Sequence, residues 1–271
     1  MLGAILGDII GSQFEWSEQK PHGFPLFTDA CRFTDDSVAT LAIAAALAEG
    51  GDGWQSGGFR RLLIRRMVSL GREYPDVGWG EGFYRWLTVD PTPYGSMGNG
   101  AAMRISPVGW VADSEEEVRA LSRLVTEVSH DHREAILAAE AVAMAIYLGR
   151  CGASLFEIRE RMEDYYPEIR EMTVEGIRAD YGIDREGRFI TCAGSVPQAI
   201  VCFLEAEDFE SAVRNAVSLG GDADTQAAIT GSMAEAYFGI PEEVSEEGLA
   251  FLDDDLLDIV FAFEEVRRPK A

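Results

Sequence analysis

Two short segments of the chain each carry three oxygen-bearing side chains at the start of a helix-like run. These side chains are Thr34, Asp35 and Asp36 in the first segment, and Asp222, Asp224 and Thr225 in the second. Either segment could be a helix N-terminus whose acidic residues complement the helix dipole. A helix cap needs only one such side chain, however, and carboxylates repel each other where they converge. Bound cations therefore explain both segments better, and we expect the two helix starts to face each other.

The chemistry of these donors indicates which cation they would hold. Carboxylates and hydroxyls are hard oxygen ligands, and the sequence has no cluster of Cys or His at zinc-binding spacing, so Mg²⁺ or Mn²⁺ is favoured over Zn²⁺. Asp222 and Asp224 are two residues apart, and in an extended turn their side chains would point to the same side. The combined donors outnumber those that one ion takes from a protein while it keeps water ligands, which predicts a two-ion site.

Composition bounds the class of protein. The 271 residues are 47% hydrophobic, which is enough for one compact domain covering residues 1–271. A formal net charge of −24 argues against binding to a nucleic-acid duplex, which the protein would repel. The longest apolar run is far shorter than the roughly 20 residues that cross a bilayer, so no membrane partner is expected. The widely spaced cysteines predict reduced thiols and a cytoplasmic protein.

Apolar residues recur at helical spacing through most of the chain, and alternating strand patterns are nearly absent. The segments with this spacing are VATLAIAAALAEG, FRRLLIRRMVSLG, EVRALSRLVTEVS, REAILAAEAVAMAIYLG, SVPQAIVCFLEA, FESAVRNAVSL, TQAAITGSMAEAYFG and DLLDIVFAFEEV. They predict an all-α fold of many helices. The stretches 21–29 and 79–100, which are rich in Gly, Pro and aromatic residues, predict loops. The charged segment 163–188 predicts a surface helix with a loop.

Several motifs, in order along the chain, carry a resemblance to a known family. The segments are GDIIGSQFEW, FTDDSVAT, GSMGNGAAMRISPVG, VSHDHREA and GGDADTQAAITGSMAEAYFG. Together they resemble the ADP-ribosylglycohydrolase family from the N-terminus to about Ile240. The resemblance implies a compact all-α fold, two Mg²⁺ or Mn²⁺ ions, and hydrolysis of the bond between the anomeric carbon of ADP-ribose and an acceptor. The expected partners are ADP-ribose and an ADP-ribosylated protein or small molecule.

The resemblance also implies roles for individual residues. The family's metal ligands match both acidic segments, and Asp224 is the expected bridge between the ions. Glu15 and Asp36 are the candidates for proton transfer, although Glu15 could also be an ordinary surface glutamate. The residues expected to bind the substrate are Ser96, Gly98, Asn99, Gly100, Met103 and His130.

The loop SMGNGAAMR matches the family's diphosphate-binding segment. Gly98 and Gly100 would let the backbone approach phosphate oxygens, Asn99 can take unusual dihedral angles, and amides opening a helix after Gly100 would face the anion. Arg104 has two open interpretations, a phosphate contact or an ion pair with the acidic residues. His130 is placed at a helix start, and the nearby His132 is expected on the helix surface.

Other residues leave alternatives open. The aromatic side chains Trp79, Trp86 and Tyr94 could stack on adenine or could simply pack in the protein. Gln13, Phe14 and Ser129 depart from the family pattern on the acceptor side, so the acceptor stays open among arginine, serine, a nucleobase, a guanidine compound and O-acetyl-ADP-ribose.

Two other functions compete with glycoside hydrolysis. One is an ADP-ribose sensor that binds without turnover, which the complete set of ligand positions disfavours. The other is phosphoester hydrolysis, because DADT resembles the motif of aspartate-nucleophile phosphatases. Those enzymes need the aspartate at the end of a buried parallel strand, whereas NAVSLGG predicts a helix that runs into a turn.

Overall fold

The computed structural model describes residues 1–17, 23–180 and 190–267, which fold into fifteen α-helices and two short 3₁₀ helices around a common core. The described residues contain no strand, and their one β-like feature is an isolated bridge between Gly98 and Thr191. The all-α prediction is confirmed. Among the described residues, no helix has the length and apolarity that crossing a membrane requires.

In chain order, the α-helices are α1 (Leu2–Ser12), α2 (Asp35–Gly50), α3 (Phe59–Glu73), α4 (Glu81–Thr88), α5 (Gly100–Met103), α6 (Ser106–Val111), α7 (Glu115–Thr126), α8 (Arg133–Arg150), α9 (Leu155–Tyr165), α10 (Val174–Asp180), α11 (Cys192–Leu204), α12 (Phe209–Val217), α13 (Ala223–Phe238), α14 (Glu242–Leu249) and α15 (Asp254–Glu264). The 3₁₀ helices are Gly51–Gln55 and Pro167–Arg170. The predicted helical segments lie mainly in α2, α3, α7, α8, α11, α12, α13 and α15.

Helix α13 is the centre of the fold, and its residues from Ala223 to Ala236 are all buried. Helix α1 crosses it at very short range, because Gly3, Gly7 and Gly11 present no side chain to α13. A Cβ atom added at Gly7 would lie 2.1 Å from the carbonyl oxygen of Ala227. Glycine weakens a helix by about 1 kcal/mol relative to alanine, so its use here indicates that close approach of the two backbones is required.

Two of the predicted segments, the loop 79–100 and the surface helix with a loop at 163–188, contain more structure than the sequence indicated. The stretch 79–100 includes helix α4, whose buried Phe83, Trp86 and Leu87 lie on one face of a single amphipathic segment. The expected loop was wrong there because few apolar residues between glycines give a weak helical period. In the segment 163–188, α9 ends at Tyr165 and is followed by a 3₁₀ helix and α10. Residues 21, 22 and 181–188 of these predictions lie outside the described residues.

The four cysteines are unpaired, as predicted. Cys31, Cys192 and Cys202 are buried, and Cys151 is exposed. Burial raises the pKa of the Cys192 and Cys202 thiols far above its usual range, because an apolar environment disfavours the thiolate. These two side chains are therefore small core residues and not reactive groups.

Candidate active site

A cleft of about 380 Å³ opens where the ends of several helices meet. It is lined by side chains and backbone of Glu15, Trp16, Asp35, Asp36, Gly78, Gly80, Glu81, Gly82, Phe83, Tyr94, Ser96, Gly98, Asn99, Gly100, Met103, Arg104, His130, Ile190, Asp222, Asp224 and Thr225. All the predicted site residues line this cleft except Thr34. The two acidic segments and the glycine loop, which lie far apart in sequence, therefore share one concave surface.

The starts of α2 and α13 face each other across the floor of the cleft. Thr34 caps α2, with its hydroxyl accepting the Asp36 amide at 3.3 Å. The Thr225 hydroxyl reaches across to donate to Asp36 Oδ2 at 3.3 Å. Asp222 precedes α13, and Asp224 lies in the first turn of that helix. The extended turn predicted for both aspartates is therefore wrong for Asp224, and helix geometry brings it to the cleft.

Asp8 is the acidic residue that sequence reasoning missed. It lies within α1, is fully buried, and accepts hydrogen bonds from the Thr34 amide at 2.9 Å and the Thr34 hydroxyl at 2.7 Å. The amide and the hydroxyl of Ser37 also donate to it. A lone carboxylate inside the apolar run GAILGDIIGS was the available signal, since an aspartate is almost never fully buried without partners.

The carboxylates form two groups that share one member. Oxygen atoms of Asp8, Asp36 and Asp224 lie within 4.8 Å of one another, and so do oxygen atoms of Glu15, Asp222 and Asp224. Thr34 lies behind the first group and not on the cleft surface, because its hydroxyl is engaged by Asp8 and by the Asp36 amide. We refer to Asp8, Asp35, Asp36, Asp222 and Asp224 as the acidic cluster.

Burial makes the acidic cluster electrostatically unfavourable by itself. Desolvation is the largest cause that raises the pKa of Asp35 to about 8 and of Asp8 to about 6. The pKa values of Asp36 and Asp224 are raised well above their ordinary value by burial and then by repulsion from neighbouring carboxylates. The Asp36 Oδ1 atom is buried without a hydrogen-bond partner. An orphaned oxygen among all-oxygen donors fits hard divalent cations such as Mg²⁺ or Mn²⁺.

The glycine loop lies against the start of α11. The Asn99 amide donates to the Ile190 carbonyl at 2.9 Å, and the Cys192 amide donates to the Met97 carbonyl at 2.9 Å. The Asn99 side chain donates to Asp222 Oδ2 at 2.6 Å and to the Ser195 hydroxyl at 3.1 Å. Asn99 therefore connects the loop to the acidic cluster.

Two details of the loop differ from prediction. Asn99 has ordinary helical dihedral angles, with φ −64° and ψ −13°. Helix α5, which begins at Gly100, is only one turn long. The Ala101 amide donates a hydrogen bond to the Gly98 carbonyl, and the Ala102 amide donates one to the Asn99 carbonyl. Those amides are satisfied within the turn and do not form the predicted anion-facing helix start.

His130 is buried on the wall of the cleft, with Arg104 beneath it. The Arg104 Nη2 atom donates to the Ser129 hydroxyl at 2.7 Å and lies 3.3 Å from His130 Nδ1. A guanidinium can only donate, so Nδ1 is the acceptor and the ring proton is assigned to Nε2. The Nε2 atom faces the glycine loop, 3.4 Å from the position of a Cβ at Gly100. Burial and then the Arg104 charge hold the pKa of His130 well below its usual range, so the ring is neutral.

His130 does not start a helix. It lies in the turn before α8, and His132 is the N-cap, accepting the Glu134 amide at 3.2 Å. Arg104 is 1% exposed, stacks over the Phe83 ring at 4.8 Å, and has no carboxylate ion pair among the described residues. The ion-pair interpretation of Arg104 is therefore wrong. Desolvation lowers its pKa to about 10, so it stays charged at neutral pH.

The predicted aromatic residues divide into packing and cleft groups. Trp86 is buried and donates to the Val128 carbonyl at 3.0 Å, and Trp79 donates to the Tyr74 carbonyl at 2.7 Å. Both residues pack in the protein. Tyr94 lines the cleft, with its ring edge-on to His130 at 5.6 Å. Trp16, which sequence reasoning did not single out, also lines the cleft and is 41% exposed.

Glu15 lies at the rim of the acidic cluster, just after α1. Its Oε1 atom accepts the Trp16 indole N–H at 2.8 Å, and its Oε2 atom accepts a guanidinium N–H of Arg32 at 3.1 Å. Trp16 has a φ of 57°, which is rare for a bulky residue, and its amide donates to the Gly221 carbonyl at 2.8 Å. The strained turn thus ties Glu15 to the segment that precedes α13.

The fold and the cleft together define an all-α protein with a largely buried acidic centre of oxygen donors, which could hold divalent cations. Comparison with known proteins is consistent with this class. The family model described as ADP-ribosylglycohydrolase matches residues 1–269. The chain therefore belongs to the ADP-ribosylglycohydrolase family, and it is a hydrolase of that family.

Similar proteins cover nearly the whole chain. ADP-ribosylhydrolase ARH3 of Homo sapiens is 25% identical, over 95% of this chain and 90% of the relative. ADP-ribosyl-[dinitrogen reductase] glycohydrolase of Rhodospirillum rubrum is 26% identical, over 93% of this chain and 88% of the relative. A solved structure titled ADP-ribosylglycohydrolase-related protein complex superposes with a TM-score of 0.69 at 26% identity, covering 98% of this chain and 96% of that one.

Proposed function

We propose that this protein is a two-metal hydrolase that releases ADP-ribose from an acceptor by cleaving the glycosidic bond, and so reverses ADP-ribosylation. The acceptor is an ADP-ribosylated side chain or small molecule, joined through nitrogen or oxygen. One observation carries the proposal. Two groups of carboxylates share Asp224 on the floor of a cleft whose wall is the glycine loop and His130. The family membership supports the same conclusion.

The residues that would hold the ions are Thr34, Asp35, Asp36, Asp222, Asp224 and Thr225, and Asp224 belongs to both groups of carboxylates. The Asp8 carboxylate accepts hydrogen bonds from Thr34 and Ser37, so we assign it two roles: it positions Thr34, and it adds negative charge to the group that it forms with Asp36 and Asp224. When bound, Mg²⁺ or Mn²⁺ supplies positive charge that neutralises the acidic cluster, orients the ribose diol and acidifies a water molecule.

The remaining side chains provide proton transfer and charge stabilisation. Glycoside cleavage proceeds through a transition state with positive charge on the ribose ring, which nearby carboxylates stabilise. Glu15 and Asp36 border the space in which that charge develops. Glu15 is the partly exposed member of the two and is held in place by two hydrogen bonds, so it is the better proton acceptor.

Recognition of the diphosphate needs local donors, because the protein carries a net charge of −24. Ser96, Gly98, Asn99, Gly100 and Met103 line the wall beside the acidic cluster. The His130 Nε2–H, fixed by the donors on its other nitrogen, faces the same space as a neutral hydrogen-bond donor. Arg104 contributes positive charge behind it.

A set of defined ADP-ribosyl conjugates tests the proposal. We expect the metal-free protein to release ADP-ribose from at least one conjugate only after Mg²⁺ or Mn²⁺ is added. Wild-type protein in chelator is the matched control. Tight calorimetric binding of ADP-ribose without hydrolysis of any conjugate would instead identify a sensor, and metal-independent release would contradict the two-metal mechanism.

A further inference from the structure

Arg32 places a positive charge beside Glu15, at the rim of the acidic cluster. The protein has 23 basic residues against 47 acidic ones, yet Arg32 contacts the carboxylate at the rim of the acidic cluster. Its guanidinium is 60% exposed, and its backbone amide donates to the buried Ser12 hydroxyl at 3.0 Å. The backbone of Arg32 is therefore fixed to the end of α1, while its side chain reaches Glu15 from the solvent side.

The electrostatic force on the Glu15 carboxylate depends on whether cations are bound in the acidic cluster. Its carboxylate oxygen lies within 4.8 Å of oxygens of Asp222 and Asp224, which repel it toward solvent when no cation is bound. Positive charge in the cluster would instead attract it inward. The Glu15 side chain is 26% exposed and so has room to move either way. Contacts outside the cluster must therefore decide where this carboxylate rests.

Two donors hold the Glu15 carboxylate. Arg32 donates to Oε2, and the Trp16 indole donates to Oε1, so both carboxylate oxygens are engaged. Trp16 is in turn fixed by the hydrogen bond that its backbone amide donates to the Gly221 carbonyl, and by its left-handed backbone conformation. An exposed Arg–Glu pair contributes little to stability, so a positioning role fits these contacts better than a structural one.

We propose that Arg32 is a positioning residue that, together with the Trp16 indole, fixes the Glu15 carboxylate at the rim of the acidic cluster. Its catalytic consequence rests on the proposed function. Without Arg32, Glu15 rotates toward solvent in the metal-free protein and toward the ions in the loaded protein. In both cases it leaves the position from which it transfers a proton.

The kinetic test compares Arg32→Ala with Arg170→Ala. Arg170 pairs with Glu163 away from the cleft and is 62% exposed, with Glu163 16% exposed, so the two ion pairs match closely. We expect Arg32→Ala to lower kcat by about 10-fold with little change in KM, because a misplaced catalytic group costs rate and not ground-state binding. Arg32→Lys should recover part of kcat, and Arg170→Ala should match the wild type.

A second readout does not depend on turnover. The chain has five tryptophans, so the indole N–H resonance of Trp16 can be identified in a ¹⁵N spectrum by its loss in Trp16→Phe. Glu15→Ala removes the acceptor of that N–H and defines the shift caused by losing the contact. We expect Arg32→Ala to move the resonance in the same direction, with and without Mg²⁺, and Arg170→Ala to leave it in place.

The outcomes separate the two proposals. If the wild type hydrolyses no conjugate, the proposed function fails, and the Trp16 resonance still decides whether Arg32 positions Glu15. If the wild type is active, an Arg32→Ala protein with unchanged kcat and an unmoved Trp16 resonance overturns the inference. A fall in kcat without movement of the Trp16 resonance also overturns it, because Arg32 would then act by another route.

Discussion

The floor and the wall of the cleft carry opposite charge. On the floor, the acidic cluster collects buried carboxylates with raised pKa values and leaves Asp36 Oδ1 without a partner. On the wall, Arg104, Ser129 and His130 form a hydrogen-bonded chain that leaves His130 Nε2 facing the glycine loop and Arg104 Nε buried without a partner among the described residues. The floor therefore carries clustered negative charge that bound cations would neutralise, whereas the wall carries one positive charge beside neutral hydrogen-bonding groups.

The two sides are also joined differently to the scaffold. The floor depends on the close crossing of α1 and α13, which brings Asp8 beside Thr34 and Ser37. The wall depends on loop contacts near residues 94–100 and on the turn before α8. The Asn99 side chain, which belongs to the wall, contacts the floor through its hydrogen bond to Asp222. Changes on one side should therefore be separable from changes on the other.

The largest expected effect is that of Asp224→Asn on the floor. We expect loss of metal-dependent turnover by more than ~10³-fold, because the shared ligand is removed. The metal-free protein should become more stable, since one buried negative charge among several disappears. Steady-state kinetics and thermal unfolding in chelator measure both effects. A metal-free variant that unfolds at a lower temperature than the wild type would show that the floor is not under electrostatic strain.

Gly7→Ala tests whether helix crossing positions the floor. The added methyl group would lie 2.1 Å from the Ala227 carbonyl oxygen, so the helices must separate. We expect a loss of about 3 kcal/mol in the free energy of unfolding, as for other overpacked core sites, together with weaker metal binding. Gly57→Ala, where nothing lies within 4 Å of the added Cβ, is the control and should change neither quantity. Equal behaviour of the two variants would contradict the close crossing.

His130→Ala tests the wall. We expect the affinity for ADP-ribose to fall by about 10-fold, the cost of one good hydrogen bond, while metal affinity stays unchanged. His132→Ala is a near neighbour on the exposed side of the same turn and should leave both affinities as they are. Calorimetric titration with ADP-ribose and with Mn²⁺ makes the comparison. Loss of metal binding in His130→Ala would show that the two sides are not independent.

The smallest expected effect is a pH dependence of the metal-free protein. Folding raises the pKa of Asp35 to about 8 and of Asp8 to about 6, from an ordinary value of 3.8. The folded state therefore holds protons that the unfolded chain has released, so the contribution of these two groups to stability is complete below about pH 4 and is lost as the pH rises toward 8. We expect Tm to fall steadily as the pH rises from 5 to 8 in chelator, which a series of thermal unfolding curves measures.

Saturating Mg²⁺ should remove most of this slope, because ion binding replaces the protons. His130 has a lowered pKa and contributes a slope of opposite sign, but it contributes equally with and without metal. The difference between the two curves therefore isolates the floor. Parallel curves in chelator and in Mg²⁺ would mean that the carboxylates are not those that bind the ion.

Much of the fold followed from hydrophobic periodicity, and the two acidic segments followed from donor type. VATLAIAAALAEG and TQAAITGSMAEAYFG lie in helices α2 and α13, whose starts face each other as expected. Local sequence carries this information because a helix start is capped by its own neighbouring residues. The short helix α4 was not predicted, because its few apolar residues lie among glycines and charged residues.

The parts of the site that the sequence did not predict depend on contacts between residues far apart in the chain. Asp8 acquires its role only where α1 meets the start of α2, and Arg32 meets Glu15 across 17 positions of sequence. The environment of Arg104 is set by Ser129 and Phe83 together, which neither interpretation from sequence included. Tertiary packing decides such contacts, and no spacing rule within one segment contains them.

The most direct test of the central claim is a count of Mn²⁺ ions bound to the metal-free protein, by calorimetry and electron paramagnetic resonance. We predict two ions per chain, with the spectrum of a magnetically coupled pair, because both groups of carboxylates share Asp224. Asp224→Asn should lose the coupled signal. A single bound ion, or the same coupled signal in Asp224→Asn, would contradict the account.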